Sequence, residues 1–210
     1  MAIKTIFVVT HPQSVHHVEG RVGGWYDTPL TTLGRRHAQD IAERLATLTA
    51  DHTVEIFTSD LLRTAETAAV IGQRLRQPVE AMQDLREISY GVAGGRPQSW
   101  LDANRVAQGG DRLDDDGGIE GAESRRAFAT RIYRAVEVII ERPAPVQIVV
   151  THGFALTFVI AAFIGLPIEA VGKVHFACAS GSITHLAEDA HRRNRSVVQL
   201  ADISHLTAVL

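Results

Sequence analysis

The sequence predicts an α/β fold, a three-layer sandwich in which a mostly parallel central sheet carries helices on both faces. Three observations lead there. Short β-branched runs alternate with longer segments of helical period, the pattern of parallel strands joined by helical crossovers. The runs themselves are nearly continuous in apolar residues, as strands covered on both faces must be. Several of them also end in histidine, serine or aspartate, where an open parallel sheet presents its chemistry.

The elements follow in order. Thr5 to Val9 reads as a strand, and TLGRRHAQDIAERLATL then sets Leu33, His37, Ala38, Ile41, Leu45 and Leu48 at three- and four-residue steps, the stripe of an amphipathic helix. Val54 to Thr58 is a second strand. Its helix, LLRTAETAAVIGQRL, starts at a cap on Ser59 or Asp60 and carries Leu62, Ala65, Ala69 and Leu75 on one face. Phe128, Ile132, Val136 and Ile140 mark a third helix, and Val146 to Thr151 a further strand. The apolar FALTFVIAAFIGL, Phe154 to Leu166, is shorter than the roughly 20 residues that cross a bilayer and is expected to be a buried helix. SITHLAEDAHRRNRSVVQLADIS reads as two strands, Ser182 to Ala187 and Ser196 to Ser204, forming a hairpin at one sheet edge with RRNR at its solvated tip. Between Gly91 and Gly121 glycine and aspartate replace the apolar period, so this stretch is expected to be a cap or lid.

A chain of 210 residues, 45% hydrophobic, can bury one substantial core, so residues 1–210 are read as one domain with 91–121 as its cap segment. The net charge of −3 shows no basic excess, which argues against a nucleic-acid partner. The opening MAIKTIFVVT lacks a signal-peptide core. Cys178 has no second cysteine to pair with, as in a reducing compartment. The expectations are a cytoplasmic protein with no membrane association and a small-molecule substrate. A homodimer through an exposed edge strand near Ser182 to Ala187 is allowed but not required.

The strand ends carry the functional signal. The first delivers Thr10-His11, the second Ser59-Asp60 with Arg63 in the next helical turn, and the strand from Val146 delivers Thr151-His152-Gly153. Two histidines and an arginine then converge where helix N-termini favour an anion. Phosphate is the commonest such ligand.

At this point the sequence resembles the histidine phosphatase superfamily, or phosphoglycerate mutase-like fold. THPQSVHHVEGRVGGWYDTPLTTLG carries His11, His17, Arg21 and Gly24-Trp25-Tyr26-Asp27 at the spacings of that family's opening pattern. TSDLLRTAETA is similar to its Ser-Asp-Leu-x-Arg element, LREISYG supplies the acidic Glu87, GAESRRAF resembles its Gly-x-Glu-Ser helix start, and VVTHGFAL resembles its second histidine motif.

The resemblance implies that His11 accepts the phosphoryl group, that Arg63 and His152 bind its oxygens, and that Glu87 protonates the leaving oxygen. Thr10, His17, Arg21, Gly24 and Tyr90 are the candidate substrate-binding residues, with Arg96 and Trp100 as further candidates to line the pocket. No cofactor and no metal are implied. His11, His16 and His17 could be imagined as zinc ligands, but no carboxylate or thiol partner lies at a familiar spacing.

Three departures stand out. Thr10 replaces the family's arginine before the nucleophile, Pro12 the glycine after it, and His17 an asparagine. Loss of one charged donor to a phosphoryl oxygen costs roughly 2 to 4 kcal/mol unless it is replaced; Arg21, His16 and His17 are the candidate replacements. The favoured function is a phosphomonoesterase. A mutase-like phosphotransferase, and a divergent member acting on or binding a non-phosphorylated ligand, are the alternatives. Against the mutase, no paired arginines were evident between Gly91 and Gly121, where Arg96 is read as the nearest cation.

Overall fold

The computed structural model describes residues 4–50, 52–106 and 109–207; the first three residues of the opening segment and residues 107–108 of the expected cap lie outside them. Six strands form the sheet: β1 (Lys4–Thr10), β2 (Val54–Thr58), β3 (Val79–Ala81), β4 (Val146–Thr151), β5 (Ile183–Glu188) and β6 (Arg195–Asp202). Their order is β3-β2-β4-β1-β5-β6. β1, β2, β3 and β4 are mutually parallel, while β5 pairs antiparallel with both β1 and β6.

The longer helices cover both faces. α2 (Thr32–Leu48) and α3 (Leu62–Leu75) lie on one, and α5 (Arg125–Glu141) and α6 (Gly153–Phe163) on the other. The pleat of β1 explains why its run is continuously apolar. Ile6 and Val8 enter the core beneath α5 and α6, and Phe7 and Val9 enter the core beneath α2 and α3. α6 buries nearly every side chain, which accounts for its lack of a polar face. Among the described residues no helix is long and apolar enough to cross a membrane.

Three local readings change. The second helix starts after Leu61, not at a Ser59 or Asp60 cap; Asp27 reaches across from the preceding loop to accept the Leu62 N–H at 2.7 Å, so the cap is supplied by tertiary contact. β5 is not an edge strand, since β1 and β6 flank it, and the free edge on that side is β6. Finally, β3 has three residues, too few to show a period.

The cap segment holds more order than its composition suggests. α4 (Gln98–Asn104) stands in its centre, and Val22, Ala93, Leu101 and Ile119 form a small apolar cluster of their own. A four-residue helix, α1 (Val15–Val18), follows the first strand end.

Candidate active site

The carboxyl ends of β1, β2 and β4 meet at one cavity of about 370 Å³, roofed by Gln98, Leu101, Asp102 and Arg105 of the cap. His11, 6% exposed, leaves β1 here because its N–H continues the β1–β4 pairing to Thr151 O at 3.0 Å. Its Nδ1 lies 2.8 Å from Pro12 O. A carbonyl can only accept, so Nδ1 carries the proton and Nε2 keeps its lone pair. Arg63 Nε donates to that Nε2 at 3.2 Å.

Arg63 is 1% exposed. It is aimed by two further bonds, to Gly24 O at 2.6 Å and Tyr26 O at 3.1 Å. Gly24 serves as that acceptor with φ +57°, and a Cβ there would meet Ile88 O at 2.6 Å, so the close approach requires glycine. Burial lowers the Arg63 pKa to about 10, with Glu87 and Asp27 opposing; it remains a cation at neutral pH.

Glu87 enters half-buried from the loop after β3. Its two oxygens accept the backbone N–H of Ile88 at 2.9 Å and of Phe154, in the first turn of α6, at 3.0 Å. Burial nevertheless raises its pKa, against the pull of those bonds, Arg63 and Arg131. The loop is fixed by Arg131 of α5, which donates to Asp84 O, Arg86 O and Glu87 O at 2.9, 2.6 and 2.7 Å and pairs with Glu123 at 2.8 Å. Trp25 Nε1 donates to the Glu87 carbonyl at 2.8 Å.

His152, 0% exposed, lies beneath the cavity wall with its ring edge-on to His11 at 5.1 Å between centroids. Ser59 Oγ is 2.9 Å from its Nε2 and accepts from Leu61 N at 3.3 Å. If Ser59 donates its own proton to Nε2, His152 Nδ1 carries the other hydrogen, and that buried nitrogen has no partner among the described residues.

Thr10 occupies the place of the family's arginine and uses its hydroxyl elsewhere. Oγ1 donates to Ala179 O at 2.8 Å, lies 3.0 Å from Ser182 Oγ and accepts the Ser182 N–H at 3.1 Å. It ties the loop before β5 to the site rather than offering a donor to the cavity. Ala179 O also accepts the Ser182 N–H at 3.2 Å, so Thr10→Val is expected to cost only about 1 kcal/mol, the net worth of the hydrogen bonds lost, measured by urea unfolding.

The candidate replacement charges are also accounted for. Arg21 lines the cavity but is held by Glu19 at 2.9 Å and Gly95 O at 2.7 Å. His17 stacks on His11 at 5.4 Å, and its pKa is lowered by partial burial and by Arg63. His16, bonded to Ser14 Oγ at 3.0 Å and Thr28 Oγ1 at 2.9 Å, is lowered to about 3, chiefly by burial. The imidazoles are therefore neutral, and the charge against His11 is that of Arg63. Tyr90 lies on the wall, its pKa pushed up to about 12 by burial. Arg96 and Trp100 do not reach the cavity: Arg96 stacks on Trp100 at 4.5 Å, and the indole packs the cap's own cluster. Arg105 is the cation of the Gly91 to Gly121 stretch that lines this cavity, which corrects the reading of Arg96 as the nearest one. No group of His, Cys, Asp and Glu suited to a metal ion occurs among the described residues.

Burying neutral histidines couples stability to pH. His11 and His152 are lowered well below 6.5 by burial first and by Arg63 second, and His16 is lowered to about 3 by burial, then by His17 and Arg63. Below pH 6.5 the unfolded chain takes up protons that the folded chain refuses, so stability is full above 6.5 and is lost as pH falls. From pH 7.5 to 5.5 these three groups should cost roughly 4 kcal/mol, a fall in Tm on the order of 10 °C. A flat thermal-melting profile over that range would show that the imidazoles are not held neutral.

Sequence reasoning missed Ser59 as a partner of His152, Arg131 and Glu123 as the clasp on the Glu87 loop, and the cap residues Gln98, Asp102 and Arg105. Arg131 looks like any other charge on an amphipathic helix, and no spacing marks it as inward-facing.

Comparison with known proteins bears on the family and the fold. Residues 6–200 match the model of the histidine phosphatase superfamily (branch 1). The chain is 32% identical over 208 residues to the probable phosphoglycerate mutase GpmB of Proteus mirabilis, covering 97% of this chain and 95% of that protein. Among solved structures, Bacillus stearothermophilus YhfR superposes with a TM-score of 0.78 at 26% identity, covering 97% and 100% of the two chains. A mycobacterial glucosyl-3-phosphoglycerate phosphatase superposes with a TM-score of 0.74 at 26% identity, covering 95% and 100%. Motifs, sheet order and site converge on one conclusion: the chain belongs to the histidine phosphatase superfamily.

Proposed function

We propose that the protein is a phosphomonoesterase that works through a phosphohistidine on His11 and uses no metal. The observation that carries this reading is the fixed tautomer of His11. Pro12 O holds Nδ1–H at 2.8 Å, leaving the Nε2 lone pair facing the buried guanidinium of Arg63 at 3.2 Å. An incoming phosphoryl group would take the place of that mutual contact, with nucleophile and cation already aligned.

In the first half-reaction, His11 Nε2 forms a bond to phosphorus as the ester P–O bond breaks. The leaving oxygen takes the proton of Glu87, whose raised pKa keeps an acid form available. Arg63 takes the charge of the equatorial oxygens, joined by the buried Nδ1 of His152, which has no partner among the described residues and carries the proton when Ser59 donates to Nε2. In the second, water attacks phosphorus, gives its proton to Glu87, and the N–P bond breaks to release inorganic phosphate.

The test is hydrolysis of p-nitrophenyl phosphate and a panel of metabolite phosphomonoesters in EDTA, wild type against His11→Ala. We expect phosphate release that survives chelation and is lost in the variant. Turnover retained in His11→Ala would overturn the phosphohistidine. The similarity to proteins named probable phosphoglycerate mutase supports a second reading, phosphoryl transfer between hydroxyls of a phosphoglycerate. Isomer formation without phosphate release would establish it. Affinity for a non-phosphorylated ligand, undiminished in His11→Ala and unaccompanied by turnover of any ester, would favour the binding alternative.

A further inference from the structure

Beside the catalytic cavity lies a second one of about 490 Å³, and Tyr90, Leu101 and Arg105 line both. The two chambers have different chemistry. The second is lined by the apolar Ile88, Ile119, Phe154 and Val174 together with four cations, Arg105, Arg112, Arg125 and Lys173.

These cations come from the cap, from the start of α5 and from the turn after α6, so no single helix face explains their meeting. Arg125 lies over the Phe154 ring at 4.9 Å and donates to Gly172 O at 3.3 Å. Its pKa is lowered by burial and then by Arg112 and Arg105, so like charges crowd together here. Arg105 is seated against Gly117, where a Cβ would come within 2.8 Å of its side chain at φ +72°.

Carboxylates are also present, and Asp102 and Asp115 share a smaller cleft with Arg105, Arg112 and Arg125. Glu123 belongs to Arg131, and Asp115 and Asp116 accept the N–H groups of Gly117 and Gly118 at 2.7 and 2.8 Å. The neighbouring Asp111 and Asp114 pair with Arg126 at 3.0 and 2.6 Å, not with Arg125. Asp115 does act on Arg125, but the four cations of the lining outnumber its carboxylates, one of which, Glu123, is paired with Arg131, and such a surface beside apolar side chains is complementary to an apolar body ending in an anion.

We infer that this chamber binds the body and far end of the substrate, which is a phosphomonoester with an apolar or aromatic body and a second anionic group opposite the transferred phosphoryl. The inference rests on phosphoryl transfer at His11 and adds the substrate class. The phosphoryl end sits on His11 and Arg63, the body passes Tyr90 along Ile88 and Phe154, and the far anion meets Arg105, Arg112, Arg125 and Lys173.

The experiment compares three phosphate esters of one aromatic body, 4-(phosphonooxy)phenylpropanoate, its neutral carboxamide and a counterpart ending in a second phosphate, each with a longer-chain homologue. The readout is the ratio of kcat/KM for charged to neutral ester, which a general loss of catalysis leaves unchanged. We expect at least one charged homologue to exceed its carboxamide by about tenfold or more, and that ratio to fall towards one in the Arg112→Gln, Lys173→Gln double variant. The variant's thermal melting should match wild type, since both side chains are exposed. The better of the carboxylate and phosphate arms identifies the far anion. A ratio near one for every wild-type pair, or a ratio that survives the double substitution, would sink the inference while leaving phosphatase activity intact. If no ester turns over, calorimetric binding of the same pairs decides: tighter binding of the charged member, lost in the double variant, supports the chamber and only the hydrolytic reading falls.

Discussion

Arg63→Met lowers kcat/KM on every phosphomonoester by about a thousandfold, the cost of one fixed donor to a developing oxyanion together with its charge. The expectation is large because, among the described residues, Arg63 is the cation hydrogen-bonded to His11. Thr10 occupies the family's arginine position and spends its hydroxyl on Ala179 and Ser182. Arg21 is turned to Glu19 and Gly95, and burial holds His11, His16 and His152 neutral.

The substitution also removes the donors to Gly24 O and Tyr26 O, so a stability loss of about 1 to 3 kcal/mol accompanies it. Urea unfolding measures that loss, and kinetics well below the midpoint isolate the catalytic effect. Arg63→Lys should recover little, because one ammonium cannot reach His11, Gly24 and Tyr26 together as the planar fork does. Activity within tenfold of wild type in folded Arg63→Met would show that the phosphoryl charge is met elsewhere.

Glu87→Gln separates the two half-reactions. Glutamine keeps the shape but neither donates an acidic proton nor accepts one. Esters of poorly acidic alcohols, which need the leaving oxygen protonated, should lose about a hundred- to ten-thousandfold in kcat. p-Nitrophenyl phosphate leaves as a stable anion, so its first step should persist. A burst of p-nitrophenol followed by slow turnover is expected, with the phosphohistidine accumulating because water lacks its base.

The pH profile gives the sign independently. The acid form of Glu87 is lost as pH rises through its raised pKa, so alkyl ester hydrolysis should decline over that interval while the nitrophenol burst does not. On the acid side, His11 is lowered well below 6.5, so the burst should persist at pH values where an ordinary imidazole is protonated. Equal losses on both ester types, with no burst, would remove Glu87 from leaving-group protonation.

The sheet and most of its coverings were legible because they are periodic; α3 was not, since it buries Arg63, Thr64, Thr67, Ala68 and Ile71 while Leu62 and Ala69 of the expected stripe are exposed. The helix TLGRRHAQDIAERLATL is α2 residue for residue, Thr32–Leu48, and the strands Val54 to Thr58 and Val146 to Thr151 end where they were read to end. The chemistry at the strand ends was legible for a related reason. In a parallel sheet, each strand's last residues share an edge with its neighbours', so His11 and Arg63 meet although 52 positions separate them.

The sequence by itself determined the α/β order, the apolar interior and which residue types arrive at one edge of the sheet, since those follow from local period and chain direction. Only the tertiary structure decided what the arriving residues do. It bonded the Thr10 hydroxyl to Ala179 and Ser182, set His11 in one tautomer against Arg63, raised Glu87 by burying it, and brought Arg105, Arg112 and Arg125 together from the cap and α5. Protonation, tautomer and charge pairing depend on groups distant in sequence that fix each side chain's burial and partners, and no local pattern encodes them.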